Sequence, residues 1–392
     1  MLVWWCEGGG LTPPPFYYTG TEVSNMSREI VNREYEVAVY YFPQWHPDPQ
    51  NEERRGKGWS EWLTLREAKP RFEGHDQPKV PMWGELDESK PEVAEKQIAA
   101  AADHGITTFI YDWYFDLNGP GTGPFLHRAL EEGFLRASNR HCLNFSLMWA
   151  NHNEISRERF DALADYVIEK YFGEPNYWIV NGGLYFSIYE LHTFIKGLGG
   201  VDAARDALQS FRRKTLSAGF PGLHLNAVEW GLKGSRLARI TEDTDALVRQ
   251  LGFDSVTSYV WAHNIELEEF PSAPYDKWAA EAVKLWPIFR DQYDVPYYPN
   301  VSMGWDPSPR TDPDKEYVRG AYPYDTIIVG NTPERFREAL ARVKEFLDEG
   351  KTQPKIFTIY AWNEWTEGGY LEPDTVNGMG YLEAIRDVFG SD

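Results

Sequence analysis

Cysteine, long apolar runs and positive charge are all scarce in this sequence of 392 residues. Two cysteines, Cys6 and Cys142, without a CxxC spacing, indicate neither a disulfide framework nor a cysteine-ligated zinc site. No apolar stretch approaches the roughly 18 residues of a membrane-spanning helix. Lys and Arg total 39 against 60 Asp and Glu, a net charge of −21, which argues against nucleic acid or an acidic membrane surface as a partner.

Several catalytic signatures are also missing. The sequence has no HExxH or H-x-H metal motif, no G-x-S-x-G nucleophile elbow and no Gly-rich phosphate loop after its first strand. His46, His152 and His263 with Asp112 or Asp306 leave a metal site open as an alternative, but their spacing does not favour one. We therefore expect no metal and no cofactor.

The amino-terminal residues 1–34 are predicted to be a tail outside the folded domain. Leu2 to Cys6 is apolar, but no positive segment precedes it and Gly and Pro follow, which is unlike a secretory signal. The default expectation for location is cytoplasmic, and the sequence does not predict an oligomeric state.

Aromatic residues are abundant instead. They make up 15% of the chain, with 16 Trp and 23 Tyr. An indole ring stacks well on a sugar ring, although most Trp side chains fill protein cores. The composition favours a neutral carbohydrate substrate without establishing one.

Short β-branched or aromatic runs alternate with helical patterns along the chain. The predicted strands are Val37–Phe42, Thr107–Tyr111, Leu143–Trp149, Leu184–Tyr189, Leu223–Val228, Ser255–Tyr259, Tyr297–Val301 and Ile356–Ala361. The predicted helices are Pro91–His104, Pro124–Ser138, Arg157–Tyr171, Asp202–Ala218, Ser235–Leu251, Tyr275–Tyr293 and Thr332–Glu349. Eight such units predict an α/β fold, a single-domain (β/α)8 TIM-type barrel over residues 35–392, in preference to an open doubly wound sheet. Pro43 to Ser89 is predicted to be a long functional loop without helix after strand one.

In such barrels the active site lies at the carboxyl ends of the strands. The residues at these ends are polar or aromatic, and we predict that they bind substrate: Gln44, Trp45, His46, Asp112, Trp113, Tyr114, Trp149, Asn151, His152, Tyr189, Glu229, Trp230, Tyr259, Trp261, Trp305, Asp306, Trp362 and Asn363. Each of them singly could be a loop or core residue without a function.

The last strand leads into Trp362-Asn363-Glu364-Trp365-Thr366-Glu367-Gly368. Two carboxyl groups three residues apart can reach one face of a turn, and like charges in close proximity raise the pKa of one member. Glycosidic bond chemistry uses such a pair, one group to protonate a leaving oxygen and one to act as base or nucleophile. Glu364 and Glu367 are therefore the predicted catalytic residues.

Three further motifs and one arginine complete a resemblance to a known family. With Gly58-Trp59-Ser60-Glu61-Trp62, Gly304-Trp305-Asp306, Arg310 and Leu371-Glu372-Pro373, the chain from Glu36 to Val388 resembles the WbsX-type family, which is related to the endo-α-mannanases of glycoside hydrolase family 99. The resemblance implies a (β/α)8 barrel and a retaining reaction. It also adds Trp59, Glu61, Trp62, Arg310 and Glu372 to the predicted substrate-binding residues.

By this resemblance, Glu364 is the base that deprotonates the sugar 2-hydroxyl to give a 1,2-anhydro intermediate, and Glu367 is the acid and then the base that activates water. The family tends to carry Glu where Trp149-Ala150-Asn151-His152 has His152, so its substrate does not transfer directly. A retaining glycoside hydrolase acting on an α-linked glycan is the leading prediction. A glycosyltransferase of surface polysaccharide synthesis and a non-catalytic glycan-binding barrel remain as alternatives.

Overall fold

A computed structural model describes residues 34–116, 123–230, 232 and 243–390 of the chain. Apart from Glu34, the predicted tail lies outside the described residues, and so does residue range 235–242 at the start of the predicted helix Ser235–Leu251. Within the described residues, no helix combines the length and apolarity needed to cross a membrane.

Nine strand segments form one mostly parallel sheet. They are β1 (Glu36–Tyr41), β2 (Thr108–Asp116), β3 (Asn144–Trp149), β4 (Gly183–Ile188), β5 (Leu223–Val228), β6 (Ser255–Thr257), β7 (Tyr297–Tyr298), β8 (Asn300–Ser302) and β9 (Ile356–Tyr360). All eight predicted strands are confirmed, with the seventh divided into β7 and β8.

The order of the segments brings the sheet round on itself. It runs β7-β6-β5-β4-β3-β2-β1-β9-β8, with parallel pairing throughout. Both ends of this order belong to the seventh unit, where Pro299 separates β7 from β8. β7 pairs with β6, and β8 pairs with β9. The predicted TIM-type barrel is confirmed, and it carries a seam at Pro299.

Helices surround this sheet and connect its strands. They are α1 (Pro49–Arg55), α2 (Glu61–Glu67), α3 (Pro91–Asp103), α4 (Arg157–Lys170), α5 (Leu191–Leu198), α6 (Val201–Ser217), α7 (Thr244–Leu251), α8 (Tyr275–Gln292), α9 (Pro333–Asp348) and α10 (Gly380–Phe389). The two short helices α1 and α2 correct the prediction that the loop after β1 is non-helical. Asp48 accepts a hydrogen bond from the backbone of Gln50 and Pro49 occupies the first turn, a start signal inside a charged segment.

The barrel interior contains a buried polar layer as well as apolar side chains. The side chain of Asn226 on β5 donates to Ser255 (2.9 Å) and accepts from Ser187 (2.8 Å) and Thr257 (3.0 Å). These groups are essentially inaccessible to solvent. Because each polar group has a partner, the layer ties neighbouring strands together without the cost of an unpaired buried group.

The predicted helix Pro124–Ser138 is wrong. Gly123–Phe125 forms a short strand against β2, and a π-helical turn Ala129–Gly133 followed by a 3-10 turn Phe134–Arg136 replaces the α-helix. The reason lies at Gly133, whose missing side chain leaves room for the carbonyl oxygen of Glu88. Packing against the loop after β1 therefore overrides the apolar periodicity of this segment.

This close approach gives the first testable prediction. In Gly133→Ala the new methyl group overlaps the Glu88 carbonyl oxygen, so the variant should lose about 1–3 kcal/mol of unfolding free energy. Gly173→Ala is the matched control, because nothing lies within 4 Å of a Cβ built there. Equal stabilities of the two variants in denaturant unfolding would contradict this account.

Candidate active site

The two predicted catalytic glutamates lie on a tight turn beyond β9. Asn363–Glu364 pairs antiparallel with Gly369–Tyr370, and a 3-10 turn, Trp365–Glu367, connects the two segments. Gly368 closes the turn at φ 69°, where a Cβ would also come within 2.8 Å of the backbone nitrogen of Asp306. The turn therefore requires glycine at this position. Both carboxyl groups are buried, Glu364 with 2% and Glu367 with 8% exposed surface.

A single guanidinium contacts both of these carboxylates. Nη2 of Arg310 donates to Glu364 and Nη1 lies 3.2 Å from Oε1 of Glu367. Nε of the same group donates to Thr366 (3.1 Å) and lies 3.7 Å from Glu61. Three acidic side chains are thus arranged around one cation, which offsets their mutual repulsion in a buried site.

Two tyrosines hold the second glutamate. The hydroxyl of Tyr360, the last residue of β9, donates to Oε2 of Glu367, and that of Tyr322 donates to Oε1 at 2.5 Å. Tyr322 also accepts a hydrogen bond from Arg310 at 2.9 Å. With Nη1 of Arg310 at 3.2 Å, these hydroxyls fix the orientation of the Glu367 carboxyl group.

The first glutamate is in a different environment. Burial raises the pKa of Glu364 well above its ordinary value, Arg310 opposes this shift, and the nearby carboxylates of Glu367, Asp112 and Glu61 add to it. The two environments are therefore unequal: burial favours the neutral acid at Glu364, whereas Glu367 accepts hydrogen bonds from two tyrosines. Two carboxyl groups can take separate acid and base roles only when their environments differ in this way.

Asp112 on β2 faces the same region. The hydroxyl of Tyr259 donates to its Oδ2 at 2.7 Å, and its side chain interacts electrostatically with Glu367 and Arg310. Burial is the main reason that the pKa of Asp112 is raised to about 8. The structure thus brings Asp112 and Tyr259, which were both predicted to bind substrate, close to the glutamate pair.

Aromatic rings form a wall that continues from Tyr259. Tyr189 packs edge-on against Tyr259 with ring centroids 5.4 Å apart, and its hydroxyl lies 3.3 Å from Nε2 of His263. Trp230 stacks on His263 at 4.3 Å. On the other side of Tyr189 lies His152, with centroids 5.5 Å apart, and His152 in turn lies 6.1 Å from Tyr114. Flat ring faces next to carboxyl groups suit the binding of a sugar.

Asp306 anchors the loop after β8 through contacts of its side chain and its backbone. Its Oδ2 contacts Nε2 of His75 (2.8 Å) and accepts from Gln77 (2.6 Å), and its backbone nitrogen donates to the carbonyl of Glu367 at 2.6 Å. Burial opposes charge here, but the hydrogen bonds from His75 and Gln77 lower the pKa of Asp306. Asp306 thus supports the glutamate turn, and Trp305 beside it packs on Tyr360 with centroids 6.1 Å apart.

A second group of predicted residues connects the loop after β1 to the glutamate turn. Trp45, Trp62 and Trp365 pack in series, with centroids 4.2 and 6.3 Å apart. Oε1 of Glu88 contacts His46 (3.0 Å) while its Oε2 accepts from Asn363 (3.3 Å). The backbone carbonyl of Gln44 accepts a hydrogen bond from the backbone nitrogen of Glu61, and the side chain of Glu61 accepts one from Thr366. The guanidinium of Arg55 lies over the ring of Trp59. The carboxyl group of Glu372 accepts hydrogen bonds from Gln97 and Trp365.

Other predicted residues do not reach the barrel mouth. Four buried tryptophans point into the packing around the barrel: Trp113 toward Tyr171, Trp149 toward Phe160 and Phe194, Trp261 toward Tyr275 and Trp278, and Trp362 toward Phe109. Asn151 exchanges two hydrogen bonds with the backbone of Glu190. Successive residues of a strand face opposite sides of the sheet. The position of a residue at the end of a predicted strand therefore does not show whether its side chain points into the barrel or away from it.

Three side chains that hydrogen-bond to Glu367 or to Arg310 were not predicted. Thr366 lies between the two glutamates in sequence, and Tyr360 is the last inward residue of β9, so the parity of that strand could have indicated it. Tyr322 comes from the middle of the segment between β8 and α9, where nothing in the sequence distinguishes it from its neighbours. Within the described part of the chain, no three His, Cys, Asp or Glu side chains are grouped as metal ligands would be.

Solved structures of a glycoside hydrolase and of a glycoside hydrolase-like protein show an architecture similar to that of this chain. The glycoside hydrolase family 99 endo-α-mannosidase from Bacteroides thetaiotaomicron is 13% identical, with a TM-score of 0.57, over 91% of this chain and 96% of that one. A glycoside hydrolase-like protein is also 13% identical, with a TM-score of 0.58, over 95% and 98%. At these identities the likeness concerns the fold, which is that of barrel glycoside hydrolases.

The sequence match is more specific than the structural one. Residues 37–385 match the family described as Glycosyltransferase WbsX, and the chain belongs to this family, as its motifs predicted. The uncharacterized protein WxcX from Xanthomonas campestris pv. campestris (strain B100) is 27% identical over 382 residues, which cover 90% of this chain. The chain spans about half the length of this relative, 49%.

Glu229, predicted to bind substrate, is fully buried next to Trp230, and neither of its carboxyl oxygens has a hydrogen-bond partner within the described residues. Burial raises the pKa of Glu229 well above its ordinary value. The folded state therefore binds this proton more tightly than the unfolded state. Its contribution to stability is present at low pH and is lost as the pH rises above the ordinary glutamate pKa through the folded value.

Glu229→Gln cannot ionise, so its melting temperature should exceed that of the parent protein by an amount that grows between pH 5 and pH 8. Thermal unfolding at both pH values measures this, with the exposed Glu383→Gln as control. A difference that does not change with pH would show that Glu229 is not held neutral.

Proposed function

We propose that this chain is a retaining glycoside hydrolase that cleaves an α-linked oligo- or polysaccharide, with Glu364 and Glu367 as its catalytic pair. The observation that carries the proposal is that one guanidinium, that of Arg310, contacts both carboxylates at the mouth of the barrel. Next to it, the aromatic wall of Tyr259, Tyr189 and Trp230 offers ring faces to a sugar.

The chemistry needs one carboxyl group that gives a proton and one that takes a proton. By the family resemblance, Glu364 removes the proton of the 2-hydroxyl, whose oxygen attacks the anomeric carbon while Glu367 protonates the leaving oxygen. Glu367 then takes a proton from water as the water oxygen attacks the anomeric carbon, and the C1–O2 bond breaks as Glu364 returns its proton to O2, which gives net retention. General acid–base catalysis of this kind contributes roughly 10²–10⁴-fold for each group.

The environment of Glu364 favours the reverse order. Burial favours the neutral, proton-donating form of Glu364, while Glu367 accepts hydrogen bonds from Tyr360 and Tyr322. The family assignment and this reverse assignment use the same pair of residues and differ only in which of them holds the proton before substrate binds.

The substrate class follows from charge and shape. The carboxyl groups of Glu61, Asp112, Glu364 and Glu367 surround Arg310, so its guanidinium is already engaged with acids and offers little to an anionic sugar. A neutral glycan therefore suits this acidic site better than an anionic one. His152, where the family tends to have Glu, lies against Tyr114 and Tyr189 and is expected to change which sugar is accepted.

A glycosyltransferase is the second candidate, and the description of the family favours it. The same two carboxyl groups would serve a transferase in which a sugar hydroxyl replaces water. The Asp312 and Asp314 pair, the Asp-x-Asp spacing in the sequence, does not support nucleotide-sugar binding through a metal. Asp314 pairs with Lys69 at 2.6 Å and Asp312 with Lys315 at 3.2 Å, both on an exposed loop.

Digestion of a panel of defined glycans, with NMR detection of the first-formed anomer, tests the proposal. We expect cleavage of an α-linked glycan with the α-anomer released first. A β-anomer first would overturn retention. Transfer from a nucleotide sugar without hydrolysis would favour the transferase, and glycan binding without any reaction would favour a non-catalytic barrel.

Replacement of the carboxyl groups tests the pair directly. Glu364→Gln and Glu367→Gln should each lower kcat by about 10²–10⁴-fold while circular dichroism and glycan binding stay unchanged. The exposed Glu73→Gln provides a matched control with full activity. Normal turnover in both active-site variants would exclude the pair.

The order of roles is tested with an aryl glycoside whose leaving group needs no protonation. The variant that lacks the acid should recover most of its kcat/KM for release of the aryl group, a step that precedes the attack of water, and the variant that lacks the base should not. Recovery in Glu367→Gln supports the family order, and recovery in Glu364→Gln supports the reverse. If neither variant recovers, neither residue acts as the acid.

A further inference from the structure

Asp112 presents one carboxyl oxygen that the protein does not use. Its side chain is 2% exposed, and Oδ2 accepts the hydroxyl of Tyr259 at 2.7 Å. Oδ1 is buried as well and has no hydrogen-bond partner within the described residues. A buried polar atom without a partner is uncommon in folded proteins and needs an explanation. At the mouth of the barrel, a bound ligand can supply the missing partner.

The register of β2 places this oxygen toward the interior of the barrel. Trp113, the next residue, donates its indole N–H to Tyr171 at the end of α4, on the helix side of the sheet. Successive strand residues face opposite sides, so Asp112 faces the barrel interior. Its bond to Tyr259, which packs against Tyr360 with centroids 5.1 Å apart, places it near the residue that holds Glu367.

The groups that face Asp112 come from every side of the barrel mouth. They are Tyr40 on β1, Tyr114 on β2, Tyr189 after β4, Tyr259 after β6, Arg310 after β8, and Glu364 and Glu367 after β9. Burial raises the pKa of Asp112 to about 8, with Tyr259 and Arg310 opposing the shift and Glu367 adding to it. Because Oδ2 already accepts a hydrogen bond from Tyr259, the proton of the neutral acid belongs on Oδ1.

We propose that Asp112 is a neutral hydrogen-bond donor that binds, through Oδ1, an oxygen of the glycan unit next to Glu364 and Glu367. The proposal rests on the proposed function only in taking a glycan as the ligand. It makes Asp112 a specificity residue: a sugar whose hydroxyl meets Oδ1 satisfies a buried donor, and a deoxy analogue leaves it unpaired.

The first experiment needs no ligand. Infrared spectra of the full chain should show the carbonyl band of a protonated carboxylic acid that disappears with a midpoint near pH 8 and is missing from Asp112→Asn. If Asp112→Asn leaves every such band unchanged at pH 7, Asp112 is ionised and the proposal fails.

The second experiment measures binding to an array of α- and β-linked oligosaccharides at pH 6.5 and pH 9.5. Loss of the proton removes the donor, so the affinity of the parent protein for its best-bound glycan should fall about 10-fold or more at the higher pH. Asp112→Asn keeps an acceptor for Tyr259 and a donor toward the sugar, so it should bind within about 3-fold of the parent at pH 6.5 and lose less at pH 9.5. Asp112→Leu, with its fold checked by circular dichroism, should lose about 10-fold or more at both pH values.

Equal binding by Asp112→Leu and the parent would overturn the proposal. So would equal losses in the Asn and Leu variants, because a charged acceptor would then be needed, and so would the failure of every glycan on the array to bind. Binding is measured without turnover. A chain that binds glycans in this pattern yet cleaves none would therefore refute the proposed hydrolysis and leave the role of Asp112 in place.

Discussion

The guanidinium of Arg310 is the interaction on which the barrel mouth depends. It joins side chains from separate parts of the chain: Glu61 on α2, and Thr366 with its two flanking glutamates on the turn after β9. It also lies 5.3 Å from the ring centroid of Phe42. Without a cation between them, the buried carboxylates would repel one another, and at least one would take up a proton or turn toward solvent. The proposed chemistry needs those carboxylates to stay together.

Around this centre, the loops beside β1 and β9 support each other in pairs. His75 and Gln77 contact Asp306, whose backbone donates to the carbonyl of Glu367. Glu88 accepts from the side chain of Asn363, immediately before Glu364. Each glutamate is therefore positioned through a neighbour that the long loop after β1 binds. That loop is therefore part of the framework of the site.

The strands could be predicted from the sequence because each is a short apolar run between polar segments, and parallel barrel strands are buried on both faces. The motif of Glu364 and Glu367 could be predicted for the same reason, since it follows the last such run. The orientation of side chains could not. Trp113 and Tyr114 look equally suited to a sugar, yet strand parity turns Trp113 toward Tyr171 and brings Tyr114 close to His152. Tyr322 depends on a loop path that no local periodicity encodes, and Gly133 shows that a distant carbonyl can override a helical pattern.

At the Pro299 seam, the two halves of one barrel strand pair with different neighbouring strands. Proline has no backbone N–H to donate, while its carbonyl still accepts from Thr358 at 2.8 Å. β7 follows the register of β6, whereas β8 follows that of β9, the strand that leads to the glutamate turn. The segment that carries Trp305, Asp306 and Arg310 continues from β8, so its starting register is set by β9 and not by β6. The residues around the glutamate turn therefore share one strand pair as their common reference, although the barrel they belong to is divided at this proline.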